Sequence, residues 1–259
     1  MKKALAMAVL MLALPRAHAE GHRTTVVIDP GHGGSQQGAP GCQEGVWEKD
    51  LTLAIAKKVG SRLRAELGVN ALLTRETDAH LFLGRRIAFA NAHGADLFIS
   101  IHLNSMPTPA ERRHVEGIET YFLSADATDE RAASVAAAEN ADDGPKKRGG
   151  SDLSLILDDL TLTAAHQDAS RLAKAVHGSL VTNLHATDHG VQQAPFVVLE
   201  GAQMPAILCE VGFISHPVEG KKLQTDAYQD EVAEALVLGV KKFLAQTRVR
   251  DLTVAKGAR

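Results

Sequence analysis

The chain is poor in cysteine, aromatic residues and net charge. Of its 259 residues only two are cysteine, Cys42 and Cys209, so no disulfide framework holds it together, although the two could pair in an oxidising compartment. Aromatic residues make up 4% against 45% hydrophobic residues in all, so any core is built of alanine, leucine and valine. A net charge of −3 supplies no basic field for nucleic acid. After the first nineteen residues no apolar run approaches the eighteen or so needed to cross a bilayer. A glycine-rich turn is present, but no Gly-Lys-Ser/Thr follows it, which argues against a phosphate loop. No G-x-S-x-G elbow is present, which argues against a serine hydrolase. No internal repeat is found.

The first nineteen residues, MKKALAMAVLMLALPRAHA, read as a secretion signal: two lysines, a short apolar run, then Ala17-His18-Ala19. Without a twin arginine the general export route is expected, with cleavage after Ala19 and a periplasmic destination. About 240 residues remain, enough for one well-buried domain.

Strand-like and helix-like stretches alternate along that remainder. TVVID (25–29), VNALLTR (69–75), ADLFISIHLN (95–104), GIETYFL (117–123), FVVLE (196–200) and PAILCEV (205–211) read as strands. Helical spacing marks residues 49–67, with Asp50 as the expected cap, then 83–94, 163–185 and 227–246. This alternation predicts an α/β fold, a mostly parallel sheet with helices on both faces and a ligand site at the carboxyl ends of the strands. Residues 124–162 interrupt the pattern with an alanine-rich helical piece, a polar glycine-rich stretch and the apolar run LSLILDDLTL. So long an excursion is either functional or disordered. Residues 248–259 read as a loose charged tail.

Three groups with chemistry fall at or near strand ends. His32 follows TVVID in the turn Pro-Gly-His-Gly-Gly, His102 lies near the end of LFISIHLN, and Glu210 sits in AILCEV. Glu48 comes just before the first long helix, with Glu44 competing for the same role. Two histidines and a carboxylate are common zinc ligands, and a further carboxylate can serve as general base. Each has a plainer reading: a turn cap for His32, a core histidine for His102, a first-turn carboxylate for Glu48. Glu210 is harder to dismiss, because a carboxylate ending a buried strand is costly without a partner. His216, close after it, is a candidate lining residue. His80, His93, His114, His166, His177, His185 and His189 read as surface or helix positions.

VVIDPGHGG, EKDLTLAIAKKV, LLTRETD, LGRRIAFAN, ADLFISIHLNS and PAILCEVGFIS stand in the order found in zinc-dependent N-acetylmuramoyl-L-alanine amidases of the Amidase_3 type, which the chain resembles over about 25–246. The resemblance implies one domain over 20–247 with a six-stranded, mostly parallel sheet. It implies zinc held by His32, Glu48 and His102, and Glu210 as the catalytic glutamate. It also implies cleavage of the amide between the lactyl group of N-acetylmuramic acid and the L-alanine of a peptidoglycan stem peptide. Asn104 is placed to contact substrate. Arg75, Asp78, Arg86 and Asn91 match family positions and read as buried polar partners pinning helices to the sheet edge. Ser35-Gln36-Gln37 stand where the family often carries an acidic residue.

Amidases of Gram-negative cell division that resemble this chain carry an inserted helix over the zinc until an activator, typically a LytM-domain protein, displaces it. By that likeness Glu139 reaches the metal in the resting enzyme, and the apolar run from Leu153 to Leu162 receives the activator. A monomer is expected, with no further wall-binding module. Two other readings remain at this level: a zinc carboxypeptidase or other peptidase acting on wall peptides, and a catalytically silent wall-binding protein. The presence of all four of His32, Glu48, His102 and Glu210 weighs against the last.

Overall fold

β1 (Thr25–Pro30) is buried at every position because strands flank it on both sides and helices cover both faces. It is the second strand of a six-stranded sheet in a computed structural model that describes residues 23–141 and 159–257, with side chains for 23–141 and 165–247. The other elements are α1 (Glu48–Leu67), β2 (Asn70–Leu73), α2 (Leu83–Ala92), β3 (Leu97–Asn104), β4 (Ile118–Leu123) and α3 (Glu130–Asn140). They continue with α4 (Asp159–Leu184), β5 (Asp188–Ala194), β6 (Ala206–Phe213), α5 (Glu219–Leu223) and α6 (Asp226–Gly257). The strand order is β2-β1-β3-β6-β4-β5. β4 runs antiparallel to β6, and every other neighbouring pair is parallel. The chain is thus a single α/β domain with a mostly parallel sheet, as its alternating pattern predicts.

Period-two alternation divides each strand between two cores. On β3, Leu97, Ile99, Ile101 and Leu103 join the larger core with α1, α4 and α6. Phe98 joins the smaller core with residues of α2 and α3. Beyond Phe98 the same face turns polar, with Ser100, His102 and Asn104. By the same alternation Asp29 follows Val27, Glu210 follows Leu208, and Glu119 precedes Tyr121. The second face is therefore apolar early along the parallel strands and polar toward their carboxyl ends, which puts the ionisable groups in one place.

Some boundaries differ from the sequence pattern. FVVLE is not a strand: Val197–Leu199 form a 3-10 turn whose Val198 and Leu199 fill the smaller core. The strand beside β4 is β5, DHGVQQA, which stands at the sheet's edge and is mostly half-buried, so it needs no apolar alternation. α1 starts at Glu48, two residues before Asp50, and its N-cap Trp47 makes no side-chain cap; Asp50 lies in the first turn instead. α6 runs on to Gly257, through most of the stretch expected to be a loose tail. The alanine-rich piece of the excursion is α3. Residues 1–22, which include the expected signal, lie outside the described residues. So do residues 142–158 and the side chains of 159–164, which include the run from Leu153 to Leu162. Cys42 and Cys209 are both free thiols.

Two arginines hold the turn that follows β1. Arg86 pairs with Asp29 at 3.0 Å, both fully buried, and donates to the carbonyls of Pro30 and His32 at 2.7 and 2.9 Å. Asp29 also accepts from Ser100 Oγ at 2.7 Å. Arg75 donates to the carbonyls of Gly31 at 2.7 Å and Lys49 at 2.8 Å. Turn carbonyls inside a protein have no ladder partners, and these guanidinium groups supply them. Asp78 and Asn91 differ from expectation in being partly or largely exposed. Asp78 pairs with Lys49 at 2.7 Å, and Asn91 ties α2 to Gly201 and Gln203.

Candidate metal centre

His32 has a φ of +59°, a left-handed conformation that is uncommon for a residue with a side chain. The tight turn of Gly31, Gly33 and Gly34 around it, clamped by Arg75 and Arg86, holds it there. His32 Nε2 lies 3.0 Å from Glu48 Oε2, and His102 Nδ1 lies 3.1 Å from Glu48 Oε1. Glu48 is fixed in turn by two backbone donors, Ala39 N–H at 2.8 Å and Leu103 N–H at 2.9 Å. Glu44 is exposed and takes no part.

A fourth donor comes from α3. Glu139 Oε2 lies 2.7 Å from His102 Nδ1 and 3.3 Å from His32 Nε2. One donor atom from each of His32, Glu48, His102 and Glu139 lies within 4.8 Å of all the others. Metal–nitrogen and metal–oxygen bonds of about 2.0–2.2 Å at a tetrahedral angle put neighbouring donors roughly 3.3 Å apart, so this set suits a metal ion. Its charges depend on one another. Burial pushes the His102 imidazole down, but the Glu139 and Glu48 carboxylates together outweigh burial and raise it to about 10. Burial pushes Glu48 up, but the charge of His32 and hydrogen bonds from both histidines bring it down to about 2.

Glycine is required where these side chains crowd the backbone. A Cβ on Gly31 would lie 2.5 Å from the His102 ring, and one on Gly38, whose φ is +68°, 2.5 Å from the His32 ring and 2.6 Å from Glu48 Oε2. We expect Gly38→Ala to weaken metal binding by roughly 10- to 100-fold, the usual cost of disturbing ligand orientation. Calorimetric titration checks this, and an unchanged affinity would mean that His32 and Glu48 are not ligands.

Glu210 stands beside this cluster. It is the register partner of His102 across β3 and β6, fully buried, and neither carboxylate oxygen has a hydrogen-bond partner. Burial first, then the charge of Glu139, pushes its proton affinity well above the usual carboxylate range. Asn104 faces a cavity of about 450 Å³ with Ser35, Gln36 and Trp47, roofed by Ser134, Val135 and Ala138 of α3. His216 is buried away from it, accepting from Glu219 N–H at 3.1 Å. His177, read as a surface or helix position, is a buried residue of α4 bonded to Asp188 at 2.7 Å.

Sequence reasoning missed Glu119 and Arg131. Glu119 is the register partner of Glu210 across β6 and β4, so His102, Glu210 and Glu119 form one row. It accepts from Asn104 Nδ2 at 2.6 Å and Tyr121 Oη at 2.9 Å and pairs with Arg131 Nη2 of α3 at 2.6 Å. The signal was there: a carboxylate inside the apolar strand GIETYFL, as unusual as Glu210 in AILCEV.

A family model described as N-acetylmuramoyl-L-alanine amidase matches residues 26–242. The amidase AmiA of Escherichia coli K12 is 36% identical over 233 residues, covering 87% of this chain and 78% of AmiA. The amidase AmiC of Neisseria meningitidis is 34% identical over 230 residues, covering 86% of this chain and 53% of AmiC, so the chain spans about half the length of that relative. The crystal structure of an N-acetylmuramoyl-L-alanine amidase from Clostridium difficile 630 superposes with a TM-score of 0.66 at 30% identity, covering 86% of this chain and 97% of that one. With the match running through every strand and both sides of the donor cluster, the chain belongs to the N-acetylmuramoyl-L-alanine amidase family.

Proposed function

We propose that this chain is a zinc-dependent hydrolase of peptidoglycan that cuts the amide between N-acetylmuramic acid and the L-alanine of the stem peptide, and that α3 holds it silent until an activator lifts that helix. One observation carries the reading: His32, Glu48 and His102 converge on a point shared with Glu139 of α3, while Glu210 alongside keeps two buried oxygens with no hydrogen-bond partner.

His32, Glu48 and His102 would hold the metal. Zinc is the ion that two imidazoles and one carboxylate with an open fourth position suit best. When bound it lowers the pKa of a water to about 7 and polarises a carbonyl. Glu210 takes the proton of the attacking water and hands it to the leaving amine. Burial raises its proton affinity above the usual carboxylate range, which suits a group that must both take up and return a proton. Asn104, anchored through Glu119, lines the path by which substrate reaches these groups. In the resting state Glu139, whose carboxylate lies against both histidines, would take the place of water at that site. A LytM-domain activator docks along residues 153–162 during cell separation. The protein acts as a monomer in the periplasm after loss of residues 1–19.

Digestion of purified sacculi by residues 20–259, read by mass spectrometry, tests this. With the activator present, or α3 released, we expect intact peptides beginning with L-alanine, abolished by EDTA and restored by zinc. Release of single amino acids instead would identify a carboxypeptidase, and no release from metal-loaded folded protein would remove the enzymatic reading.

A further inference from the structure

α3 fills a second position besides the metal centre. Arg131, eight residues before Glu139, sets its guanidinium against Glu119 at 2.6 Å and over the Phe213 ring, 5.4 Å from the centroid. Glu119 is 2% exposed, and its carboxylate also accepts from Asn104 Nδ2 and Tyr121 Oη. A buried carboxylate, oriented by a tyrosine hydroxyl and an amide that donate to it and flanked by an aromatic face, forms a built seat for a cation. The seat adjoins the reaction centre, because Glu119 is paired in register with Glu210 and tethers Asn104 of the substrate cavity.

Lifting α3 would withdraw Arg131 and leave the Glu119 carboxylate beside that of Glu210 with no cation, a pairing of like charges that favours the entry of another cation. We infer that the Glu119 seat is a substrate subsite for an alkylammonium group of the stem peptide, and that Arg131 mimics this group in the resting enzyme. The inference rests on the proposed displacement of α3. A stem peptide offers that chemistry from two sources: the side-chain ammonium of its diamino acid, and the α-ammonium created at alanine by the cut. A neutral or acidic group in the seat would face the paired carboxylates of Glu119 and Glu210, so the subsite selects for charge.

The test uses the full mature chain with the double change R131A/E139A, which empties the seat and frees α3 from the metal centre. Calorimetry measures binding of L-alanyl-D-glutamyl-L-lysine, its Nε-acetyl form and its Nα-acetyl form. We expect the unmodified peptide to bind at least about tenfold more tightly than one acetylated form, and the form that loses affinity identifies the source. Adding Glu119→Gln should abolish the difference. Equal binding of all three peptides, or no binding by any, overturns the subsite, and that comparison needs no change at Glu119. Sacculus digestion by the same double variant separates this inference from its foundation. Release of alanine-ended peptides without discrimination among the ligands sinks the subsite alone, whereas discrimination without release leaves the subsite standing and removes the amidase reading.

Discussion

Glu210→Gln is expected to lower turnover on sacculi by roughly 10²- to 10⁴-fold, the range a positioned general base contributes, while leaving metal content unchanged. The geometry separates the two effects. Glu210 contributes no atom to the donor cluster, which is His32, Glu48, His102 and Glu139. It faces that cluster from the neighbouring strand, in register with His102. Glutamine keeps the shape and removes the proton acceptor. Stability should move the other way. A fully buried carboxylate without a hydrogen-bond partner is unfavourable, so its replacement by a neutral amide should stabilise the fold by roughly 1–3 kcal/mol. In a domain of this size that raises Tm by several degrees. Metal analysis, a melting curve and sacculus digestion together decide it. Retained turnover would place the base elsewhere, and a fall in Tm would mean that Glu210 is a structural residue.

The same burial that makes Glu210 conspicuous made much of the site legible in the sequence. His102 and Glu210 are polar interruptions of otherwise apolar strands, and His32 stands in a glycine turn just beyond one; an apolar strand buried on both faces tolerates such interruptions only where the chemistry compensates. Glu48 was not separable from Glu44 by spacing. What selects it is tertiary: the N–H groups of Ala39 and Leu103 that fix its carboxylate belong to a loop and a strand distant in sequence. β5 was missed because an edge strand needs no apolar alternation, whereas Val197–Leu199 carries apolar residues for a core that a 3-10 turn reaches equally well. Asp50 looked like a helix cap because the sequence does not register the two extra residues, Glu48 and Lys49, that begin α1. The Glu119–Arg131 pair was invisible for another reason. Its partners sit on a strand and on an inserted helix, and only the docking of α3 brings them together.

That docking sets the size of the second large effect, the rise in activity without activator when Glu139 is changed to alanine. Glu139 is only one of the contacts that hold α3. Ala132 and Ala136 are buried in the smaller core. Asn140 donates to the Pro195 carbonyl and accepts from Val197 N–H, both at 2.8 Å, and Arg131 pairs with Glu119. Removing Glu139 therefore weakens the hold of α3 over the centre without removing every contact that docks it. Each 1.4 kcal/mol of lost docking energy is a tenfold change in the open fraction. We expect Glu139→Ala to raise basal release from dye-labelled sacculi about tenfold, and R131A/E139A by about 100-fold if the two contacts act independently. Metal content should hold in both, because His32, Glu48 and His102 remain. A basal rate unchanged in both variants, with metal bound and the fold intact, would mean that α3 does not block the centre. A rate that falls together with metal content would make Glu139 a working ligand rather than an inhibitor. A rise that the activator no longer increases would show that lifting α3 is the whole of what the activator does.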